Sequence, residues 1–424
     1  MPSRGVRIAL FVVAASAATS AMLTADAPEW RRARGRLSGL TAPVEVARLV
    51  AQVPAAGDEL GRSVAVAPGV IVVGAPGDVI GDPALYREGF AQVFVGGGGR
   101  WRPRQRLLAF DREQGDGFGR AVAVSGDLIA VGAEHDDHGA ISNAGSVYVF
   151  VRSGRTWALE EKLTAPDPLD EAHFGHSLAL DGDTLAVGTW ATDTVYVYER
   201  GDGSWPEPRI IRALPGQGGN FGHSLALDGD RLVVGAEWRW SSSLQITAGG
   251  ASVFVRNGDE WGLEQELAAG DPANGDHFGS SVAIAGDLIV VGAPYDDDAV
   301  NESSGSAYVF TRIDGEWVES QKLVPFEATP WQQFGWSVAV AGRNLLVGSP
   351  WYSSGSVWQA GCAYLFDRSG GSWTPSGLVM ADDAARSDLL GEVAMFGHTA
   401  VIGARLADVE GRPDAGAAHV FLLP

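Results

Sequence analysis

Asp276-His277-Phe278-Gly279-Ser280-Ser281-Val282-Ala283 opens a unit that the rest of the chain repeats. It continues through Gly286-Asp287-Leu288-Ile289-Val290-Val291-Gly292-Ala293-Pro294 and Gly305-Ser306-Ala307-Tyr308-Val309-Phe310, then reaches Trp317 and Lys322-Leu323. Read for strands, the unit divides at its turns into Ser281 to Ala285, Leu288 to Gly292, Ala307 to Thr311 and Trp317 to Val324. Gly286-Asp287 supplies the positive φ of a two-residue hairpin, as do Gly126-Asp127, Gly182-Asp183 and Gly229-Asp230.

Working outward, the glycine of the Phe-Gly pair recurs at Gly61, Gly119, Gly175, Gly222, Gly279, Gly335 and Gly391, spaced 58, 56, 47, 57, 56 and 56 residues apart. A fixed period of this size, four β-rich runs per unit and no helical pattern predict an all-β, seven-bladed β-propeller of four-stranded antiparallel blades. The second run of each unit is continuously apolar, as in Leu288-Ile289-Val290-Val291, which fits a strand covered on both faces. The first run interleaves small residues (Ser177, Ser224, Ser281, Ser337) with larger ones, which suits the crowded centre of a ring.

Unit seven ends at Val420-Phe421-Leu422-Leu423 with no fourth run of its own. Val44 to Ala51 resembles the fourth-strand segments ending Lys162-Leu163-Thr164-Ala165 and Lys322-Leu323-Val324, so the N-terminal strand is expected to complete the last blade. The expected organisation is a signal peptide at 1–27, a linker at 28–43 and the propeller at 44–424, with repeats starting near 58, 116, 172, 219, 276, 332 and 388. Arg4 and Arg7, the apolar stretch from Ile8 to Leu23 and Ala25-Asp26-Ala27 carry the export reading, to the periplasm, the cell surface or the medium, with an uncleaved N-terminal anchor as the alternative. No later apolar run reaches the ~20 residues of a membrane-spanning helix.

The formal net charge of −21 argues against nucleic acid, whose phosphates need a basic face. Cys362 is the only cysteine, so no internal disulfide forms.

The Phe-Gly and Gly-Ala-Pro signatures make the chain resemble the FG-GAP repeats of the integrin α-chain head and of many bacterial surface proteins. Individual copies depart from the pattern: Leu60 and Leu390 replace the phenylalanine, and Glu134, Glu237 and Arg405 replace the proline. The resemblance implies calcium in the loop between strands one and two. Here that loop is too short, with at most two carboxylates where calcium takes about six to eight oxygens, so no cofactor is assigned from it.

The resemblance also implies that ligands meet the face formed by the two-three and four-one loops. Six tryptophans open fourth strands (Trp101, Trp157, Trp205, Trp261, Trp317, Trp373) and read as structural. Trp190, Trp238, Trp240, Trp331, Trp336, Trp351 and Trp358 fall instead in or beside loops of the implied ligand face, joined by Tyr295 and Tyr352. Aromatic side chains on a rigid ring suit recognition of a protein or glycan; the alternative is that they plug the ring or pack loops.

Asp296, Asp297 and Asp298 are the candidate cation ligands, and an acidic run of this kind is otherwise a solvated loop. His173, His176, His223 and His277 near the start of strand one are expected to cap loops or bond backbone carbonyls, with metal or pH-switch roles as the alternative. No catalytic spacing stands out. The functional expectation is an extracellular binding or adhesion module rather than an enzyme, against a polysaccharide lyase or hydrolase and a structural envelope or matrix component.

Overall fold

The computed structural model describes residues 43–77, 88–216, 218–298 and 300–424; the segment expected to be a signal peptide (1–27) and all but the last residue of the expected linker (28–43) lie outside them. Seven four-stranded antiparallel sheets follow one another along the chain, and no helix occurs among the described residues. Blade one runs from Ser63–Ala67 to Arg100–Leu107, blade two from Phe118–Ser125 to Thr156–Thr164 and blade three from Ser177–Asp181 to Arg209–Arg212. Blade four runs from Ser224–Asp228 to Glu260–Leu267, blade five from Ser281–Ala285 to Glu316–Leu323 and blade six from Val338–Ala341 to Ser372–Val379.

Blade seven closes the ring as the sequence reading requires. Its three C-terminal strands, Leu390–Phe396, Thr399–Ala404 and Ala417–Leu422, are completed by Val44–Leu49, which pairs antiparallel with Ala417–Leu422. Inside this seam Glu45 Oε1 meets His419 Nδ1 at 2.7 Å, and Arg48 pairs with Asp383 at 3.0 Å. The first strands of successive blades touch one another all the way round, including blade seven with blade one, so they line the axis.

Burial explains the apolar second strands. Leu288, Ile289, Val290 and Val291 are buried, and each such side chain contributes about 2 kcal/mol through lost contact with water. The apolar clusters sit between blades rather than within them. One joins Val70 and Val72 of blade one to Ile129 and Val131 of blade two, and another joins Ile71 and Val73 to Val401 and Val420 of blade seven.

The repeated glycines have a steric reason. A Cβ on Gly74, in the Gly-Ala-Pro of blade one, would lie 2.0 Å from the carbonyl oxygen of Gly119 in the Phe-Gly of blade two. The pattern continues to Gly403 of blade seven, whose Cβ would stand 2.0 Å from the Gly61 carbonyl oxygen. Phe-Gly and Gly-Ala-Pro are therefore two halves of one inter-blade contact. First-strand serines add to it: Ser63, Ser224 and Ser281 each donate to the Phe-Gly glycine carbonyl of the following blade, at 2.9, 2.8 and 2.9 Å.

At the rim, Gln105 receives the backbone N–H of Trp157 at 2.8 Å and donates to its carbonyl at 2.7 Å; Gln265 and Gln321 hold Trp317 and Trp373 in the same way. Trp157, Trp317 and Trp373 thus hold neighbouring blades together.

Candidate functional site

Antiparallel order within each blade brings the two-three and four-one loops to one face. The residue after each Phe-Gly glycine stands where the chain enters the innermost strand. These residues are Arg62, Arg120, His176, His223, Ser280, Trp336 and Glu392, one per blade, and all line a single axial cavity of about 530 Å³. Trp190, Trp238, Glu237, His277 and Tyr295 complete its upper wall.

Local backbone geometry sets up this rim. Two residues before each Phe-Gly glycine the chain takes a left-handed conformation: Glu59, Gly117, His173, Asn220, His277, Gln333 and Leu389 have φ of 54°, 69°, 54°, 62°, 57°, 55° and 53°. Outside glycine that conformation costs roughly 1 kcal/mol or more, so the fold holds these residues in place. His173 and His277 occupy this position, and His176 and His223 the position after the glycine. Their recurrence at the loop's end thus has a backbone cause.

The polar wall is built on paired charges. Glu134 accepts from Arg120 Nε at 2.7 Å and meets His176 Nδ1 at 2.5 Å. Burial alone would raise its pKa, but the Arg120 charge and His176 hold this carboxyl well below the usual carboxylate range. Glu237 accepts from Ser280 Oγ at 2.9 Å and stands 3.4 Å from the Nδ1 atoms of both His223 and His277. Burial opposes its ionisation too, but the histidines and Ser280 lower its pKa. Burial pushes His223 down despite Glu237, so His223 is the neutral partner. Glu392 accepts from the Trp336 indole at 2.9 Å and pairs with Arg62 at 3.3 Å. Of the four histidines expected to cap loops or bond backbone carbonyls, His176 instead bonds the Glu134 carboxylate, and His223 and His277 stand beside that of Glu237.

Aromatic rings pack on this framework. Trp238 lies edge-on to His277 with ring centres 4.1 Å apart, and His277 packs at a tilt on Tyr295 at 4.5 Å. The amide oxygen of Asn220 accepts from the Trp238 indole at 3.3 Å and its nitrogen donates to the Trp190 carbonyl at 3.2 Å. Arginine and carboxylate donors and acceptors, fixed beside flat apolar rings, can bind a small polar molecule that also has an apolar face.

Of the nine aromatic candidates, the cavity brings together Trp190, Trp238, Tyr295 and Trp336. Trp240, Trp331 and Trp358 are exposed and stand outside its lining; Trp240 opens a small extra hairpin, Trp240–Ser241 with Ile246–Thr247, and Arg386 lies over the Trp358 ring. Trp351 is half-buried, and Tyr352 is buried with its hydroxyl 3.1 Å from Glu327.

Asp296, Asp297 and Asp298 do not converge. Asp296 accepts from Lys322 Nζ at 2.7 Å and from the Tyr308 hydroxyl at 2.9 Å. Asp297 accepts from the Ser303 backbone at 2.6 Å, and Asp298 from Val300 and Asn301. Blade two repeats the first arrangement, with Lys162 between Asp136 and Asp111 at 2.6 and 2.8 Å. The lysine ammonium already supplies the cation at Asp296.

Sequence reasoning missed Arg62, Arg120, Glu134, Glu237 and Glu392. Their signal was positional: three follow a Phe-Gly glycine, and the other two replace the proline of Gly-Ala-Pro.

The FG-GAP repeat family model matches residues 43–94, 101–150, 157–203, 261–310, 317–366 and 373–421. Each matched stretch spans a fourth strand and the first three strands of the next blade; the unmatched interval 204–260 holds the first three strands of blade four. No curated protein matches the chain. Among solved structures it is similar to a "putative 6-phosphogluconolactonase" from Bacteroides fragilis NCTC 9343, at 12% identity and TM-score 0.50, over 76% of this chain and 85% of that one. At that identity the likeness is one of fold.

Proposed function

The chain belongs to the FG-GAP repeat family, a propeller fold that commonly mediates binding, and from that premise we propose that it is an extracellular binding module whose ligand is a glycan seated at the axial mouth. One observation carries this reading: the 530 Å³ cavity in which Trp190, Trp238, Trp336 and Tyr295 surround paired Arg, Glu and His side chains. A sugar ring offers C–H faces to aromatic rings and hydroxyls to charged groups fixed in place. Because each carboxylate already has its counter-charge, the mouth suits a neutral saccharide better than a polyanion.

One observation favours a second reading, a polysaccharide hydrolase: carboxylates and histidines converge in a pocket. Glu134 and Glu237 are held ionised, however, which unfits them to donate a proton as general acids.

The test is a glycan array and an array of matrix proteins probed with the purified chain and with Trp190→Ala/Trp238→Ala. Glycan binding lost in the variant is the expected result. Binding to matrix proteins that the variant retains would move the site off the mouth. Release of reducing ends from a bound polysaccharide would favour the hydrolase.

A further inference from the structure

We propose that Glu134, His135 and His173 form a zinc site between blades two and three. One donor atom from each lies within 4.8 Å of the other two; Glu134 and His173 are buried and His135 is half-buried. Two imidazoles and one carboxylate are a borderline donor set that suits zinc and not the hard cations calcium or magnesium. Such a site leaves a fourth position for water.

An independent observation points to a missing partner. The His173 side chain is 8% exposed; its ring lies within reach of the Glu134 backbone carbonyl, yet its Nδ1 makes no well-formed hydrogen bond among the described residues. A buried ring nitrogen without a partner is costly, and a metal bond removes that cost. The surroundings hold this ring as ligating histidines are held. Glu171 Oε2 lies 3.4 Å from its Nε2, Trp190 packs edge-on at 5.4 Å between ring centres, and its left-handed backbone donates to the Asn143 carbonyl at 3.0 Å.

Glu134 is oriented in the same way. Arg120 and His176 each take one lone pair of its two oxygens, so each oxygen retains another. The Arg120 charge opposes a second cation, which places the affinity below that of a closed structural site. Zinc bonds of about 2.1 Å need donors closer together than they stand here, and a side-chain rotation of His135, the most exposed of the three, brings them in.

The site spans a two-three loop of blade two and the connection into blade three, so bound metal would tie two blades together. The test is calorimetric titration of zinc chloride into the chelator-treated full chain, with melting temperature and circular dichroism as parallel readouts. His173→Asn keeps a residue that tolerates the left-handed backbone, and His135→Asn is the second variant. One zinc per chain is expected, with a raised melting temperature and affinity about tenfold or more weaker in each folded variant. Absence of zinc binding by the wild type overturns the proposal. So does equal binding by the wild type and both variants, which would put the metal elsewhere, for example at Glu45, Asp383 and His419.

Discussion

Blade five follows the repeat closely and blade four departs from it, yet the two have the same frame. Ser281 pairs with Gly292 in one and Ser224 with Gly235 in the other, and both glycines meet the carbonyl of the next blade's Phe-Gly glycine, at 2.0 and 2.1 Å from an added Cβ. Above that frame they differ. Where blade five has Pro294-Tyr295-Asp296, blade four has Glu237-Trp238-Arg239. The buried pair behind it is reversed in sign: Asp296 with Lys322 and Tyr308 in blade five, Arg239 with Glu266 and Ser252 in blade four. The comparison teaches that glycine contacts and register specify the blade, whereas the positions just beyond Gly-Ala are free to carry charge of either sign or to face the mouth.

The comparison breaks most severely if the glycines are not equivalent. Gly235→Val and Gly292→Val should each cost about 4 kcal/mol or more, and by similar amounts, because backbone on the neighbouring blade occupies the space. Urea denaturation measures this; a tolerated substitution in blade four alone would show that its frame has diverged. Next comes the reversed pair. Lys322→Glu alone should destabilise by about 2–3 kcal/mol, and adding Asp296→Arg should recover most of the loss if the pair is interchangeable between blades.

The third prediction concerns acid. The pKa of His223 is lowered in the folded state, so below its ordinary value of about 6.5 the unfolded chain binds more protons and stability falls as pH drops. Glu134 and Glu237 are also depressed, so their contributions are full above the ordinary carboxylate range and fade as pH falls through it. Thermal melts should therefore fall steadily from pH 7 towards pH 4, and His223→Gln should flatten the upper part of that slope. A smaller effect is expected of Glu237→Pro, which makes blade four like blade five at this position: stability at pH 7 should fall by about 1–2 kcal/mol, because Ser280, His223 and His277 lose their carboxylate, while glycan binding at the mouth is lost. Trp240→Ala, at an exposed position outside the cavity, should change stability by no more than about 0.5 kcal/mol and leave that binding intact.

The frame was legible in the sequence because packing repeats. Gly61 to Gly391 answer one steric demand seven times, and Val44 to Leu49 could be assigned from a missing strand. The mouth was less legible because its seven positions share a location and not a chemistry: Arg62, His176, Trp336 and Glu392 have nothing in common until the ring brings them together. Glu134 and Glu237 read as drift from a proline, and only their contacts with His176, His223 and His277 reveal what replaced it. Asp296 misled for the opposite reason. A run of three carboxylates suggests a shared cation, but each has a different partner, and the lysine of Asp296 lies two strands away.

Ring closure has a consequence for how the molecule is made. Val44 cannot pair with Leu422 until almost the whole chain exists, which at about 5–20 residues per second means a wait on the order of tens of seconds. Throughout that interval Val44–Leu49 has no partner and the growing array has an open edge, a template for pairing with another chain. The charged side chains of that strand, Glu45 and Arg48, lower its value as such a template before they take up His419 and Asp383.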